Sequence, residues 1–438
     1  MSVMGQDRSL ESVRKALSHL HEKLGLDFSF QLWDGSLVPP SDAEKNNLRL
    51  ALTDRTVLTK LLRRPKLKTV IDLYLSGGLD IRGGTLFDLA ERRPKGKTKK
   101  LVKSLNKSLL LRNLFPLLFA RTDQQNVQLD GQGETSGRGS KQDDIAYHYD
   151  VSNRFYELFL DPEMVYTCGY FTDWANDLAQ AQRDKLDMIC RKLRLKPGDR
   201  LLDIGCGWGA LICHAAEHFG VTAVGVTLSE EQLALAQQRI KERGLEDKVS
   251  VELKDFRLLE GTFDKISSIG MFEHVGIENH REYYLTVNRL LEPRGIYLHH
   301  AITRRGKTSD AKFNRKRPEY NSMLKYIFPG AEVDHIGMTA KNLEAHGFEV
   351  HDVEAWREHY AKTTELWARR LTERKEEAIA EAGEERYRLW VLYLTGVSLA
   401  FTRGTLNIFQ TVATKRTKGH SGMRPTRSDL YETSLCRD

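Results

Sequence analysis

The chain has 438 residues, of which 40% are hydrophobic and 29% are charged. This length predicts two or three domains, and the composition excludes an extended disordered chain because it can supply ordinary hydrophobic cores. The formal net charge is +7, yet residues 1–141 carry 25 basic and 15 acidic side chains, so the basic excess lies in the N-terminal third.

The N-terminal segment, residues 1–121, is predicted to form a small accessory α+β domain that serves membrane contact or dimerisation. Residues 10–24 have helical periodicity, and residues 27–33 alternate like a strand. The glycine pairs at 77–78 and 83–84 indicate turns.

A basic run lies near the end of this segment. Such a run attracts an anionic membrane surface or nucleic acid, while a solvated linker is the plain alternative. The segment lacks the aromatic and basic alternation of an RNA-binding module, so no nucleic-acid partner is predicted. We expect the apolar residues Leu109, Leu110, Leu111 and Phe115 to insert shallowly into lipid. The run comprises Arg92, Arg93, Lys95, Lys97, Lys99, Lys100, Lys103 and Lys107.

Residues 122–142 are rich in Gly, Gln, Ser and Asp and are predicted to form a flexible linker. The catalytic domain is predicted at 143–416, followed by a tail at 417–438. Strands that alternate with helices predict a doubly wound, Rossmann-like sheet. A long helical insert at 359–402 either covers an acyl-chain tunnel or forms a buried core helix. The predicted strands are Arg200–Ile204, 222–226, Val249–Leu253, 265–269, 295–299, Phe348–Ala355 and 407–414.

No segment of the sequence is predicted to span a membrane. The longest apolar runs, at 108–120 and 389–401, are shorter than the roughly 20 residues that a bilayer requires. The N-terminus has no apolar signal-peptide region. Five cysteines, an odd number without a CxxC pair, favour a reduced cytosolic protein with neither structural disulfides nor a metal site.

The motif DIGCGWG, residues 203–209, ends the first strand of the catalytic domain and opens a helix. Glycines allow a ligand to approach the backbone closely, and a helix N-terminus favours negative charge. Because an acidic residue, Asp203, precedes the glycines and the spacing is not GxGxxG, the motif favours S-adenosylmethionine over a dinucleotide.

The second strand of this domain ends without the carboxylate that dinucleotide-binding enzymes place there. Thr227 and Gln232 can instead hydrogen-bond a cofactor. Ser229 can simply cap the helix that begins at Glu230, and the two interpretations are compatible.

Six segments together resemble the cyclopropane-fatty-acyl-phospholipid synthases and the related mycolic acid cyclopropane synthases. They occur in the order typical of that family. The N-terminal third resembles, more weakly, the extra domain of the phospholipid enzymes. The segments are YHYDVSN (147–153), MVYTCGYF (164–171), DIGCGWG (203–209), GVTLS (225–229), GMFEHVG (270–276) and YIFPG (326–330).

The resemblance implies a class I methyltransferase fold that binds S-adenosylmethionine as methyl donor and bicarbonate as base. It assigns the bicarbonate site to Cys168, Glu273, His300 and Tyr360. The neighbouring His299 is the alternative to His300, which we prefer because Ala301-Ile302 follows it. Cofactor contacts are assigned, together with Asp203 from the loop, to Tyr166, Thr167, Gly205, Gly207, Thr227, Leu228, Gln232, Phe256 and Arg257.

The implied reaction adds a methylene group across a cis double bond of an unsaturated acyl chain in a membrane phospholipid. Glu273 can accept a hydrogen bond from bicarbonate, Tyr360 can donate one, and His300 can do either. Cys168 has no flanking base and is interpreted as a wall of the pocket, not a nucleophile. The Phe256-Arg257 pair departs from the mycolic acid branch and favours the phospholipid branch.

The same scaffold allows acyl methylation without ring closure, or methylation of a small amine. A non-enzymatic membrane-binding protein is disfavoured because the cofactor loop is complete. The resemblance also implies a homodimer, and we expect a cytoplasmic protein held peripherally on the inner face of the cell membrane.

Overall fold

The computed structural model describes residues 3–40, 47–92, 103–119, 151–315 and 332–431. Several predictions concern residues outside these ranges: the linker, most of the basic run, the first four residues of the YHYDVSN segment, and the YIFPG segment. Within the contacts of the chain, Met1–Ser136 and Gly383–Leu392 form one unit, and Gly137–Ala382 with Tyr393–Asp438 form a second.

The N-terminal unit contains a four-stranded sheet covered by helices. Its strands are β1 Ser29–Gln31, β2 Leu37–Val38, β3 Arg49–Leu52 and β4 Leu79–Arg82, in the order β2-β1-β3-β4. Its helices are α1 Val3–Leu24, α2 Thr56–Arg63, α3 Leu67–Leu75, α4 Leu86–Glu91 and α5 Lys107–Leu114, and a 3-10 turn follows at Phe115–Phe119. Val13, Leu17 and Leu58 belong to the core between these layers.

The strand predicted at 27–33 is shorter in the structure. Leu32 and Gly35 already belong to a tight turn, in which the Gly35 N–H donates to the Leu32 carbonyl at 2.9 Å. Pairing therefore stops at Gln31. The predicted glycine turns are confirmed, since the two pairs flank β4 on either side.

The second unit contains a seven-stranded sheet in the order β10-β11-β9-β8-β5-β6-β7. β11 is antiparallel to both of its neighbours, and every other pairing is parallel. The predicted doubly wound α/β fold is therefore confirmed. The strands are β5 Arg200–Ile204, β6 Thr222–Thr227, β7 Val249–Leu253, β8 Phe263–Ile269, β9 Leu291–Arg304, β10 Phe348–Ala355 and β11 Leu406–Lys415.

Helices cover both faces of this sheet, because its strands are apolar on both sides. One buried cluster includes Leu211 and Ile240, and the other includes Tyr284 and Leu290. The helices of this part of the chain are α6 Asn153–Glu157, α7 Leu178–Lys192, α8 Ala210–Phe219, α9 Glu230–Glu242, α10 His280–Leu290, α11 Asp310–Asn314, α12 Ile336–Ala345, α13 Arg357–Glu373, α14 Lys375–Ala382 and α15 Glu384–Thr402. The residues of α15 up to Leu392 belong to the first unit.

Two further predicted elements, both in the second unit's sequence range or its insert, differ from the structure by more than a shift of one or two residues at an end. The strand predicted at 295–299 runs over 14 residues as β9, because β11 pairs with it from Ile296 to Arg304. The insert at 359–402 consists of α13, α14 and α15, which are separated at Arg374 and at Gly383, a glycine with φ of 84°. Among the helices in the described ranges, none is both long and apolar enough to cross a membrane.

Candidate active site

The turn between β5 and α8 carries the predicted cofactor loop. Gly205, Gly207 and Gly209 have φ values of 79°, 55° and 83°, in the left-handed region that favours glycine. A Cβ atom on Gly205 would lie 2.9 Å from the Met271 side chain, so that position has no room for one. A Cβ atom on Gly207 would meet no protein atom within 4 Å, so this glycine leaves open space beside the loop.

A cavity of about 240 Å³ adjoins this loop. Parallel strands bring their carboxyl ends to one edge of a sheet, so the segments after β5, β6, β7 and β8 meet there. All ten residues predicted to bind the cofactor line this cavity: Tyr166, Thr167, Asp203, Gly205, Gly207, Thr227, Leu228, Gln232, Phe256 and Arg257.

Asp203 is buried at the end of β5 and bonded to the neighbouring strand. Its Oδ1 accepts a 2.7 Å hydrogen bond from the Ser267 hydroxyl. Burial raises the pKa of Asp203 to about 6, although the Ser267 bond and the nearby Lys185 cation act in the opposite direction. The carboxylate is thus held in one orientation at the base of the cavity.

Ser229 and Thr227 together organise the end of β6. The Ser229 hydroxyl accepts from the Gln232 N–H, which confirms its predicted role as a helix cap. The Thr227 hydroxyl donates to Gln232 Oε1 at 2.7 Å. Because this bond occupies the amide oxygen, the amide NH2 of Gln232 is the group directed to a ligand.

The sequence interpretation missed Lys185 and Asp255, which also line the cavity. Lys185 is 2% exposed, and its Nζ donates to the Thr167 hydroxyl at 2.9 Å. Burial lowers its pKa to about 8. A signal was present: positions 178, 181, 182, 185, 186 and 189 form one helical face, so a lysine at 185 occupies an inward position.

The two adjacent histidines of β9 lie on opposite faces of the sheet, because successive strand side chains alternate. His299 packs edge-on against Phe272 at 4.6 Å between ring centroids, and its Nδ1 bonds the Tyr297 hydroxyl. His300 packs against Trp356 at 5.3 Å, and its Nδ1 bonds the Gln410 amide at 3.0 Å. The two candidates therefore belong to different environments.

Glu273 lies in the 3-10 turn that follows β8. Its Oε1 accepts a 2.6 Å hydrogen bond from the Ile302 N–H. Ile302 is two residues beyond His300 on β9, so the carboxylate lies within one strand repeat, roughly 7 Å, of the His300 backbone. Burial raises the pKa of Glu273 to about 7. Its second oxygen, Oε2, has no partner among the described residues.

Trp356 lies between His300 and two other predicted catalytic residues, Cys168 and Tyr360. The Cys168 thiol lies 3.8 Å from the Trp356 carbonyl, although its nearer acceptor is the Gly169 carbonyl at 3.2 Å. The Tyr360 N–H donates to the Trp356 carbonyl at 3.0 Å. The Trp356 ring contacts His300 as described above. Burial raises the pKa of the Cys168 thiol well above its ordinary value, which supports a structural wall and not a thiolate nucleophile.

The four predicted catalytic residues are thus not part of the cofactor cavity lining. Cys168 and Glu273 have sequence neighbours that line it, and the His300 carbonyl accepts from the N–H of Gly270, a lining residue, at 2.8 Å. Thr167, which precedes Cys168, lines the cavity, as do Gly270, Met271 and His274 around Glu273. Within the described ranges, no group of three His, Cys, Asp or Glu side chains has the arrangement of a metal site.

Glu273→Gln is expected to stabilise the protein in a pH-dependent manner. The folded-state pKa of Glu273 is raised from 4.5 to about 7, so the parent protein loses stability as the pH rises through this window. Glutamine has no charge to bury. The variant should therefore gain up to about 3 kcal/mol above pH 7, and the gain should vanish toward pH 4.5. Thermal melts of both proteins across this range provide the measurement; an equal gain at every pH would contradict the raised pKa.

The mostly parallel seven-stranded sheet, with a glycine loop that opens onto a cavity at its carboxyl edge, agrees with the fold of a cyclopropane synthase solved with SAH and places the chain among the S-adenosylmethionine-dependent methyltransferases. The family model described as mycolic acid cyclopropane synthetase matches residues 137–411. The chain belongs to this family.

The chain is similar to bacterial lipid-modifying enzymes. A probable fatty acid methyltransferase of Pseudomonas putida is 36% identical over 426 residues, which cover 96% of this chain and 100% of the relative. The cyclopropane-fatty-acyl-phospholipid synthase of Escherichia coli strain K12 is 40% identical over 281 residues, covering 64% of this chain and 69% of that protein.

A solved structure of the family has the same fold. The crystal structure of mycolic acid cyclopropane synthase CmaA1, complexed with SAH and CTAB, is 36% identical, with a TM-score of 0.59. The match covers 64% of this chain and 99% of that one. The residues that the family model matches, 137–411, lie mostly in the second unit, which contains the cavity.

Proposed function

We propose that this enzyme converts the cis double bond of an unsaturated acyl chain in a membrane phospholipid into a cyclopropane ring, with S-adenosylmethionine as the methylene source and bicarbonate as the base. The observation that carries the proposal is a pair of buried polar atoms without protein partners, Glu273 Oε2 and His300 Nε2. Glu273 lies in the 3-10 turn that follows β8, and His300 lies on the neighbouring strand β9. The name of the Escherichia coli relative supports the same reaction.

The donor set fits a small hydroxylated oxyanion better than a water-filled gap. Glu273 offers an acceptor, and His300 and Tyr360 offer ring N–H and hydroxyl groups. Both Glu273 and His300 are at least nine-tenths buried, so a polar occupant would remove the penalty of leaving them unsatisfied. The protonated Cys168 thiol adds no competing nucleophile.

The space and the polar groups of the cavity also fit S-adenosylmethionine. The space beside Gly207 is open, so it can hold part of a ligand; a side chain at this position would fill that space. Thr227 and Gln232 supply hydroxyl and amide groups for ribose hydroxyls, and Phe256 supplies an aromatic face beside the cavity. When bound, S-adenosylmethionine supplies an electrophilic methyl group and bicarbonate supplies a base for one of its protons.

The protein's own contribution is to orient these groups and to exclude water. An alkene is a weak nucleophile, so alignment in a dry site is the main requirement. Trp356 is fully buried between His300 and Tyr170, the latter stacked at 4.7 Å. Such aromatic faces can stabilise a cationic acyl chain without forming a covalent bond to it.

Labelled S-adenosylmethionine tests the proposal. With a trideuterated methyl group, ring closure leaves two deuterium atoms in the lipid, because one is removed as the ring forms. Lipid mass spectrometry of phospholipids incubated with the purified enzyme should show this pattern together with loss of one double bond. Retention of all three deuterium atoms would exclude ring closure.

Methylation of a fatty acyl chain without ring closure is the second candidate. The observation in its favour is the 36% identity to the probable fatty acid methyltransferase along nearly the whole chain. The labelling experiment separates the two reactions, because a transferred methyl group retains all its deuterium.

The proposal includes peripheral docking on the anionic inner face of the cell membrane, as a homodimer. Within the N-terminal unit, Leu111, Phe115 and Phe119 are 64%, 49% and 73% exposed and recur every four residues. The two phenylalanine rings are in contact, with centroids 5.2 Å apart.

Two cations, Lys107 and Arg112, are exposed on α5, the helix that carries Leu111. An apolar stripe flanked by cations suits shallow insertion into an anionic leaflet. Leu109 and Leu110 are half-buried and are not part of this stripe.

Replacing the stripe residues by serine is expected to weaken vesicle binding by at least about 10-fold, because insertion depends on buried apolar area. Co-sedimentation with vesicles rich in phosphatidylglycerol gives the measurement. Leu67→Ser combined with Val70→Ser removes exposed apolar side chains from α3 of the same unit and serves as the control. Equal binding by the stripe variant and the parent would show that docking uses another surface.

A further inference from the structure

His300 belongs to a hydrogen-bonded network of four polar side chains. Glu354, Gln410 and His300 face one another on three adjacent strands, β10, β11 and β9, in directly paired register positions. Such a cross-strand row places the three side chains on one face of the sheet. Lys192, the last residue of α7, lies against this row and is 1% exposed.

The hydrogen bonds of Lys192 determine the orientation of the Gln410 amide. Its Nζ donates to a carboxylate oxygen of Glu354 and, at 2.8 Å, to Gln410 Oε1. An ammonium group has three donors and no acceptor, so only the amide oxygen can face it. The amide NH2 must then point the other way, toward His300 Nδ1 at 3.0 Å.

An NH2 group directed at Nδ1 requires a lone pair there. If Nδ1 carried a proton, two hydrogen-bond donors, the Nδ1–H and the Gln410 NH2, would face each other. The buried amide would then be unsatisfied, which costs about 1–3 kcal/mol. Burial and the nearby Lys185 and Lys192 cations also lower the pKa of His300 well below its ordinary value, so the ring is neutral. A neutral imidazole with a lone pair on Nδ1 has its proton on Nε2.

We propose that Lys192 and Gln410 are positioning residues that hold His300 as its Nε2–H tautomer, which makes its free edge a hydrogen-bond donor. The catalytic meaning of this assignment rests on the proposed function: a donor at Nε2 suits an oxygen of a bound oxyanion. Nε2 is the buried atom that has no partner among the described residues. Of the two roles open to His300, donor and acceptor, the network selects the donor.

The hydrogen bonds of the network give Lys192 a role that Lys185 does not have. Both are buried cations on α7 that act electrostatically on His300. Lys185 bonds Thr167, whereas Lys192 bonds Gln410. Only loss of Lys192 frees the amide to rotate, so the two lysines form a matched pair for distinguishing orientation from charge.

Nitrogen NMR of the full-length protein with ¹⁵N-labelled histidine, recorded without substrate, tests the proposal. The His300 signals are identified by their disappearance in His300→Asn. We expect Nδ1 unprotonated and Nε2 protonated in the parent, in Lys192→Arg and in Lys185→Met. Lys192→Met should show a population with protonated Nδ1, since the amide can then present its oxygen.

A protonated Nδ1 in the parent protein would overturn the proposal, as would an unchanged tautomer in a folded Lys192→Met. If that variant does not fold, the signals of the parent still decide. Activity provides a second readout: Lys192→Arg should retain more turnover than Lys192→Met. Because the NMR measurement needs neither lipid nor bicarbonate, a failure of the proposed reaction leaves its outcome unaffected.

Discussion

Glu273→Gln should lower turnover by about 100-fold or more while leaving S-adenosylmethionine binding close to that of the parent. Glutamine can still accept the hydrogen bond from the Ile302 N–H, so the turn after β8 keeps its anchor. It replaces the free Oε2 by an NH2 donor, which reverses the hydrogen bond available to a bound oxyanion. The expected result is thus a loss of chemistry without a loss of the cofactor.

Turnover and calorimetric cofactor affinity should be measured together for this variant. Glu278→Gln is the matched control, because Glu278 is exposed in the 3-10 turn only five residues later. The control should retain full turnover. Added bicarbonate is expected to restore part of the Glu273→Gln activity. Parent-like turnover of Glu273→Gln in bicarbonate-depleted buffer would remove Glu273 from the base site.

Gly207→Val should abolish detectable binding of S-adenosylmethionine, with a loss of affinity of about 100-fold or more. The space beside Gly207 is free of protein atoms to 4 Å, so a valine side chain would enter the cavity without displacing its walls. It would occupy the volume that a cofactor needs. The variant would also carry backbone strain, because β-branched residues rarely adopt a positive φ.

Gly244→Val isolates this strain. Gly244 has a φ of 63° and open space around its Cβ position, but it does not line the cavity. Both variants should lose comparable stability, whereas only Gly207→Val should lose the cofactor. Near-parent affinity in folded Gly207→Val would show that the ligand lies elsewhere.

The central strands of the sheet could be predicted from the sequence because local pattern and tertiary environment agree there. Arg200–Ile204 and Val249–Leu253 begin and end at the predicted residues. β9 could not, because Pro293 and Gly295 interrupt its pattern and its length comes from pairing with β11. The strands of the N-terminal unit have two to four residues, which is too short for a periodic signal.

Much of the cavity lining could be predicted because residues such as Tyr166, Gly205 and Thr227 belong to short contiguous motifs, whereas Lys185 and Asp255 do not. Lys192 and Gln410 were missed for a different reason. A lysine near the end of an amphipathic helix is typical of a solvated position, and its burial depends on what packs over it. Gln410 acquires its role only through its register opposite His300, which the local sequence does not encode.

β11 lies between β9 and β10 in the sheet, yet it is the last strand of the sheet to be synthesised. Among the described residues, those that line the cofactor cavity lie between 164 and 283, whereas Gln410, which hydrogen-bonds His300, is synthesised much later. A nascent chain that ends before β11 therefore contains every described residue that lines the cavity but lacks the glutamine that we propose to orient His300. Closing the sheet at β11 is a late, long-range step, so the chain can form its proposed site for the methyl donor before it can form the proposed site for the base.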